Sequence, residues 1–155
     1  MKTEIKETSK TPAFVFTIFF IQMTFFFYCF IKIKNPDLEV FYILIPVTLL
    51  LVFVKMTIVL NSMSFKYKLF PIHFHYNEIH WNEISHVQIY KINARSDFFG
   101  WGSRYSRKYG WAYIFNSKDA ILLTLKKSNK KITITIKDKA EILKYLNDNK
   151  IPFNI

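Results

Sequence analysis

The chain has 155 residues, 22 Lys and Arg against 11 Asp and Glu, and a formal net charge of +11. That length would fit one compact domain of modest size. Eight of its seventeen Phe, however, lie between positions 14 and 30, which excludes the first third from an ordinary soluble core.

In chain order, the first element is an uncharged run over residues 12–31. At ~1.5 Å per residue, such a helix spans the ~30 Å hydrocarbon layer of a bilayer. It exceeds the apolar stretch of a signal peptide, and no Ala-x-Ala-like cleavage site follows it. Cys29, the single cysteine, cannot form an intramolecular disulfide and is expected to be a buried thiol. Residues 32–39 carry Asn35-Pro36-Asp37, a turn signal, and residues 40–60 form a second apolar run broken only by Lys55. Lys55 is expected to snorkel from the end of a second helix, which Pro46 kinks without breaking. Residues 1–61 thus predict an N-terminal tail and a transmembrane hairpin with helices near 12–31 and 40–60. Lys2, Lys6, Lys10, Lys66 and Lys68 outside it outnumber Lys32 and Lys34 within it, so both termini are expected in the cytoplasm, at the inner membrane of a cell.

Residues 62–155 change to a period of two, the mark of half-buried strands. Ile121, Leu123 and Leu125, then Ile132, Ile134 and Ile136, alternate with less apolar neighbours on either side of a polar Lys127-Ser128-Asn129-Lys130 turn, predicting a hairpin. Residues 63–76 predict two strands joined near Pro71, and residues 84–92 and 110–115 two more. Asp138 caps a helix over about 138–149, with Glu141 at its third position; Ala140, Leu143 and Leu146 share its apolar face, widened by Ile142 and Tyr145. Six to seven strands closed by one amphipathic helix predict a small β barrel or sandwich.

The segments Ile79-His80-Trp81-Asn82-Glu83-Ile84, Gly100-Trp101-Gly102-Ser103-Arg104 and Gly110-Trp111-Ala112-Tyr113, followed by the hairpin and the final helix, resemble the bacterial pleckstrin-homology-like domains attached to membrane helices. The resemblance covers most of 62–149. It implies a strongly bent barrel with a helical cap behind a transmembrane hairpin, and little about activity. The 127–130 turn departs from the Asn-Gly or Gly-Lys usual there.

All three arginines, all three glycines and two of the three tryptophans fall between positions 95 and 111. Arginine forks suit phosphate or carboxylate, glycines let a ligand approach the backbone, and tryptophan favours the polar edge of a bilayer. Arg95, Arg104, Arg107, Lys108 and Trp101 are therefore the candidate binding residues for anionic lipid headgroups or a membrane-protein partner. The competing reading is a long loop with solvated arginines and Trp111 and Tyr113 in the core. Lys126, Lys127, Lys130 and Lys131 form a second basic patch. In Trp81-Asn82-Glu83-Ile84, Trp81 and Ile84 are expected to turn inward.

His73, His75, Glu78, His80, Glu83 and His86 raise a metal-dependent enzyme, since His73 and His75 would share a strand face, but the spacing matches no zinc pattern. No nucleophile elbow, phosphate loop or dinucleotide fingerprint is present. The expectation is a non-catalytic, membrane-anchored binding or scaffolding protein without cofactor, metal or nucleic-acid partner, with homo-oligomerisation open. The alternative is an accessory subunit of a larger membrane complex.

Overall fold

The computed structural model of the chain describes residues 4–32, 39–115 and 117–154, apart from the side chains of Val40 and Arg95. Strand β1 (Glu4–Lys10) leads into helices α1 (Ala13–Lys32) and α2 (Glu39–Phe53). Strands β2 (Lys55–Asn61), β3 (Ser64–Phe70) and β4 (Asn77–His80) follow, then a 3-10 turn at Trp81–Glu83 and β5 (Ile84–Lys91). The chain continues through α3 (Ala94–Phe98), β6 (Gly102–Ser106), β7 (Gly110–Ile114), β8 (Asp119–Leu125), β9 (Lys131–Ile136) and α4 (Lys139–Asp148).

The strands make two sheets, one in the order β1-β2-β3-β4 and one in the order β5-β8-β9-β7-β6. All neighbours are antiparallel except β7 and β9, which run parallel with Trp111 opposite Ile132. The inner faces meet in one core, where Met56, Leu60 and Phe65 of the first sheet face Ile89, Leu123 and Ile134 of the second. Ile142, Tyr145 and Leu146 of α4 complete it, and Asp138 Oδ1 caps that helix by accepting from the Glu141 N–H at 2.9 Å. The mostly β domain closed by a C-terminal helix, and the β8–β9 hairpin, are as the sequence predicts. On the outer face of the second sheet, Phe98 of α3 packs with Ile92, Ala112, Ile114 and Ala120 in a smaller cluster.

Several expectations need correcting. The second apolar run is not one helix over 40–60. Its helical part ends at Phe53, and Lys55 opens β2, where Met56 to Leu60 are all buried. A strand between two others, facing a core, is as apolar as a helix, so hydropathy cannot separate them. The boundary at 61/62 also fails, because β1 and β2 belong to the first sheet. Seven of the nine strands among the described residues, β3 to β9, fall after residue 62 as expected, and β1 and β2 are the two not foreseen. Residues 71–76 are a loop after a cis Phe70–Pro71 bond, so Pro71 does not join two strands directly and His73 and His75 share no strand face. Ala140 is exposed, leaving Ile142, Tyr145 and Leu146 as the buried face of α4. The Asn35-Pro36-Asp37 turn lies outside the described residues.

The helices attach to the sheet with almost no slack. Lys10 at the end of β1 sits opposite Lys55 at the start of β2, so α1 begins where α2 ends. The Thr11 hydroxyl shares its hydrogen between the carbonyl oxygens of Val54 at 2.9 Å and Leu51 at 2.8 Å, the latter also accepting the Val54 N–H at 3.3 Å, which ties the end of β1 to the end of α2. Rings of Phe25 and Phe26 meet Phe41, bringing the two helices together. Only Val15 and Cys29 of α1 are buried, and Phe20, Ile21, Tyr42 and Ile43 are strongly exposed. Among the described residues α1 alone is long and apolar enough to cross a membrane. Within the helices, Thr24 and Thr48 return their hydroxyls to the carbonyls of Phe20 and Leu44.

Candidate functional site: a basic aromatic groove

The region read as one long loop is a short helix followed by a hairpin. β6 and β7 pair with Arg104 opposite Ala112, Tyr105 opposite Trp111 and Ser106 opposite Gly110, leaving Arg107, Lys108 and Tyr109 as the turn. Because β7 runs parallel beside β9, this turn lies next to the one between β8 and β9. Gly110 is the point of contact. Its φ is +69°, and a Cβ there would stand 2.0 Å from the Lys131 carbonyl oxygen, so only glycine allows the approach. Across the same junction Lys131 Nζ donates to the Lys108 carbonyl at 3.1 Å, and Thr133 Oγ1 donates to the Tyr109 carbonyl at 2.9 Å.

Between the two turns lies an open depression of about 380 Å³, lined by Tyr105, Arg107, Gly110 and Trp111 on one side and Ser128, Asn129, Lys130 and Lys131 on the other. The lining has three cations and no carboxylate, with Lys108, Lys126 and Lys127 on neighbouring turn positions. Two aromatic rings accompany them. Tyr105 and Trp111 meet edge to face at 5.7 Å and remain 66% and 54% exposed. Trp111 therefore does not fill the core as the loop reading required, whereas Tyr113, two residues on, is buried beside Tyr67. Burial pushes the Tyr67 hydroxyl up to about 12 and also raises Tyr113, so both are neutral packing groups.

The five candidates separate. Arg107 lines the groove. Arg104 is exposed, but strand alternation turns it to the opposite face of β6 from Tyr105. Lys108 bends back over the Tyr109 ring, its Nζ 4.8 Å from the centroid, and its interaction with Tyr109 holds its ammonium above the usual pKa. Trp101 stands at the other end of β6, its ring 5.9 Å from Phe14 of α1 and 6.4 Å from Phe115. The Arg95 side chain lies outside the described residues. Lys130 and Lys131, read as a separate patch, form the second wall, and Tyr105 was missed. Their only sequence signal is two short basic turns, each beside an alternating strand.

The histidine-rich segment disperses. His73 Nδ1 accepts from the Leu69 N–H at 3.2 Å and stands 3.0 Å from Asn77 Nδ2, with burial holding the imidazole below its ordinary pKa. Glu78 is engaged by Ser64 Oγ at 2.6 Å and Lys66 Nζ at 3.2 Å, which hold its carboxyl low. His86 Nε2 lies 3.4 Å from Asn154 Nδ2, and Glu83 accepts from the His80 N–H. Among the described residues no three His, Cys, Asp or Glu side chains converge as metal ligands would. Trp81 is structural, its Nε1 donating to the Asn61 carbonyl at 2.8 Å and its ring edge-on to Phe65. A larger depression between β1 and α4 mixes Asp138, Glu141 and Asp148 with Lys144 and presents no convergent charge.

No protein-family model and no curated protein matches the chain.

Proposed function

We propose that this protein is a non-catalytic binding module anchored in a bilayer by α1 and α2, with a pleckstrin-homology-like domain whose groove receives an acidic segment of a partner protein. The observation that carries it is the joining of two basic turns around Tyr105 and Trp111, which gives three cations, with no carboxylate among the described lining residues, beside two exposed rings. Such a surface suits carboxylates flanked by apolar or aromatic side chains.

The anchoring half rests on the exposed apolar surfaces of both helices, rich in Phe on α1 and in Leu and Ile on α2, which water would not tolerate as one continuous patch. Their shared point of attachment, with Lys10 opposite Lys55, supports a two-pass reading with both ends on one side, and the lysine excess on that side supports the cytoplasmic face of an inner membrane. The two sheets with a closing helix support the pleckstrin-homology-like reading.

Headgroups of the protein's own bilayer are the weaker ligand. Trp101 stands beside the first turn of α1, and Arg107 lies beyond β6, which at ~3.3 Å per residue is about 17 Å long. The surface potential of a bilayer falls off over a Debye length of about 8 Å at physiological salt.

The test uses the full chain in zwitterionic nanodiscs and a fluorescent peptide of alternating Glu and Phe. Arg107→Gln and Lys130→Gln should each weaken binding by about tenfold, the loss of one charge-assisted contact, and high salt should do the same. Arg104→Gln should leave affinity unchanged. Equal binding by all three variants, or loss of peptide binding when the nanodiscs are made with anionic phospholipid in place of zwitterionic, overturns the assignment.

A further inference from the structure

The end of the domain that carries the helices has a surface unlike the groove. β3 ends at Phe70, opposite Lys55, and the chain then makes the 71–76 loop, where Ile72 is 64% and Phe74 72% exposed, with Tyr76 also exposed. On the second sheet, Phe99 and Trp101 lead into β6. Phe99 is 92% exposed and holds φ at +57°, a region in which a bulky side chain is strained. At that exposure, packing among the described residues does little to repay the strain. Cations stand among these rings. Lys55 Nζ lies over the Phe70 ring at 5.4 Å, while Lys68 Nζ lies over the Tyr76 ring at 5.7 Å and donates to the Phe74 carbonyl at 2.7 Å.

We propose that these two loops, 71–76 and 99–101, are immersed in the headgroup layer of the leaflet from which α1 and α2 emerge, seating the domain on the bilayer as well as tethering it to it. This rests on the membrane reading above and adds a second contact to it. The first support is continuity. Only Thr11 and Pro12 separate β1 from α1, only Val54 separates α2 from β2, and the Trp101 ring touches Phe14 in the first turn of α1. Side chains projecting from that end of the sheets have no gap to cross before reaching lipid. The second is length. The fifteen residues of α2 rise about 22 Å, against about 30 Å for the twenty of α1 and a similar hydrocarbon thickness. A short span draws whatever is fixed to its end toward the hydrocarbon, and β2 is fixed there. The third is composition: exposed Phe and Tyr and a half-buried Trp, with Lys55 and Lys68 among them, belong at the boundary between hydrocarbon and water.

The test is depth-resolved quenching on the full chain in vesicles that contain brominated phospholipid. In a Cys29→Ser background, single cysteines replace Phe74, Phe99, Ile21 of α1, or Ser128 of the groove turn, and each carries a small environment-sensitive fluorophore. Phe74 and Phe99 are exposed, so their replacement removes little packing, and circular dichroism confirms the fold of each variant. Labels at 74 and 99 should emit to the blue of the label at 128 and be quenched best by bromines near the headgroups, and the label at 21 by bromines deep in the chains. If 21 is quenched while 74 and 99 behave as 128 does, the seating is wrong and the membrane anchor stands. If 21 is not quenched, the anchor itself is wrong.

Discussion

Gly110→Ala is the most demanding test of how the groove is built. The substitution adds a Cβ that would lie 2.0 Å from the Lys131 carbonyl oxygen and 2.6 Å from its carbon, both backbone atoms that cannot rotate away. The φ of +69° adds a conformational penalty of about 1 kcal/mol. Relieving the overlap requires β7 and β9 to part at their Trp111–Ile132 end, losing one or two backbone hydrogen bonds at about 1 kcal/mol each. The sum is about 2–3 kcal/mol. Gly102→Ala is the control, because Gly102 also has a positive φ, +101°, but beyond its chain neighbours no atom lies within 4 Å of the place a methyl would take. Thermal melts of the detergent-solubilised chain, followed by near-ultraviolet circular dichroism, should show the Gly110 variant losing more stability than the Gly102 variant, and its peptide affinity should fall with it. Equal losses would mean that the Gly110 contact does not hold the two turns together.

Two further outcomes follow from the geometry. Thr11→Val removes the hydroxyl that serves the Leu51 and Val54 carbonyls and should cost about 1–3 kcal/mol, read as a lower melting temperature, with Thr11→Ser recovering most of it. His73 is held below its ordinary pKa of 6.5 by burial, so between its folded value and 6.5 the unfolded chain binds more protons than the folded one. Its contribution is then complete above pH 6.5 and is lost as pH falls through the lowered value. Melts on either side of pH 6.5 should show wild type losing more stability on acidification than His73→Gln, and parallel losses would exclude His73 as the cause.

Residues whose neighbours are local were legible in the sequence. Asp138 caps its helix through the Glu141 N–H three positions on, α1 is uncharged up to its final Lys32, and the β8–β9 hairpin closes through an adjacent turn. β1 was not legible, because of its seven residues only Ile5 and Ser9 are buried, which leaves no apolar alternation to read. It is a strand because β2 pairs with it from beyond two helices. β2 misled in the opposite sense, its five consecutive buried residues matching the hydropathy of the helix before it. The groove combines both difficulties. Arg107 and Lys130 stood out as charges, but their meeting depends on a parallel pairing between strands separated by β8, and the arginines clustered in sequence diverge because alternation sends Arg104 and Tyr105 to opposite faces.

The insertion of α1 and α2 between paired strands also sets an order of events during synthesis. On the two-span reading proposed above, β1 leaves the ribosome before its partner β2 and waits, exposed, while both helices are delivered to lipid. On that reading the sheet closes only once delivery has brought Lys10 and Lys55 face to face, and completion of the fold then reports on correct insertion. A fragment begun at Ser62 would lack both of those strands and present β3 as a raw edge, inviting adhesion between copies in place of a finished domain.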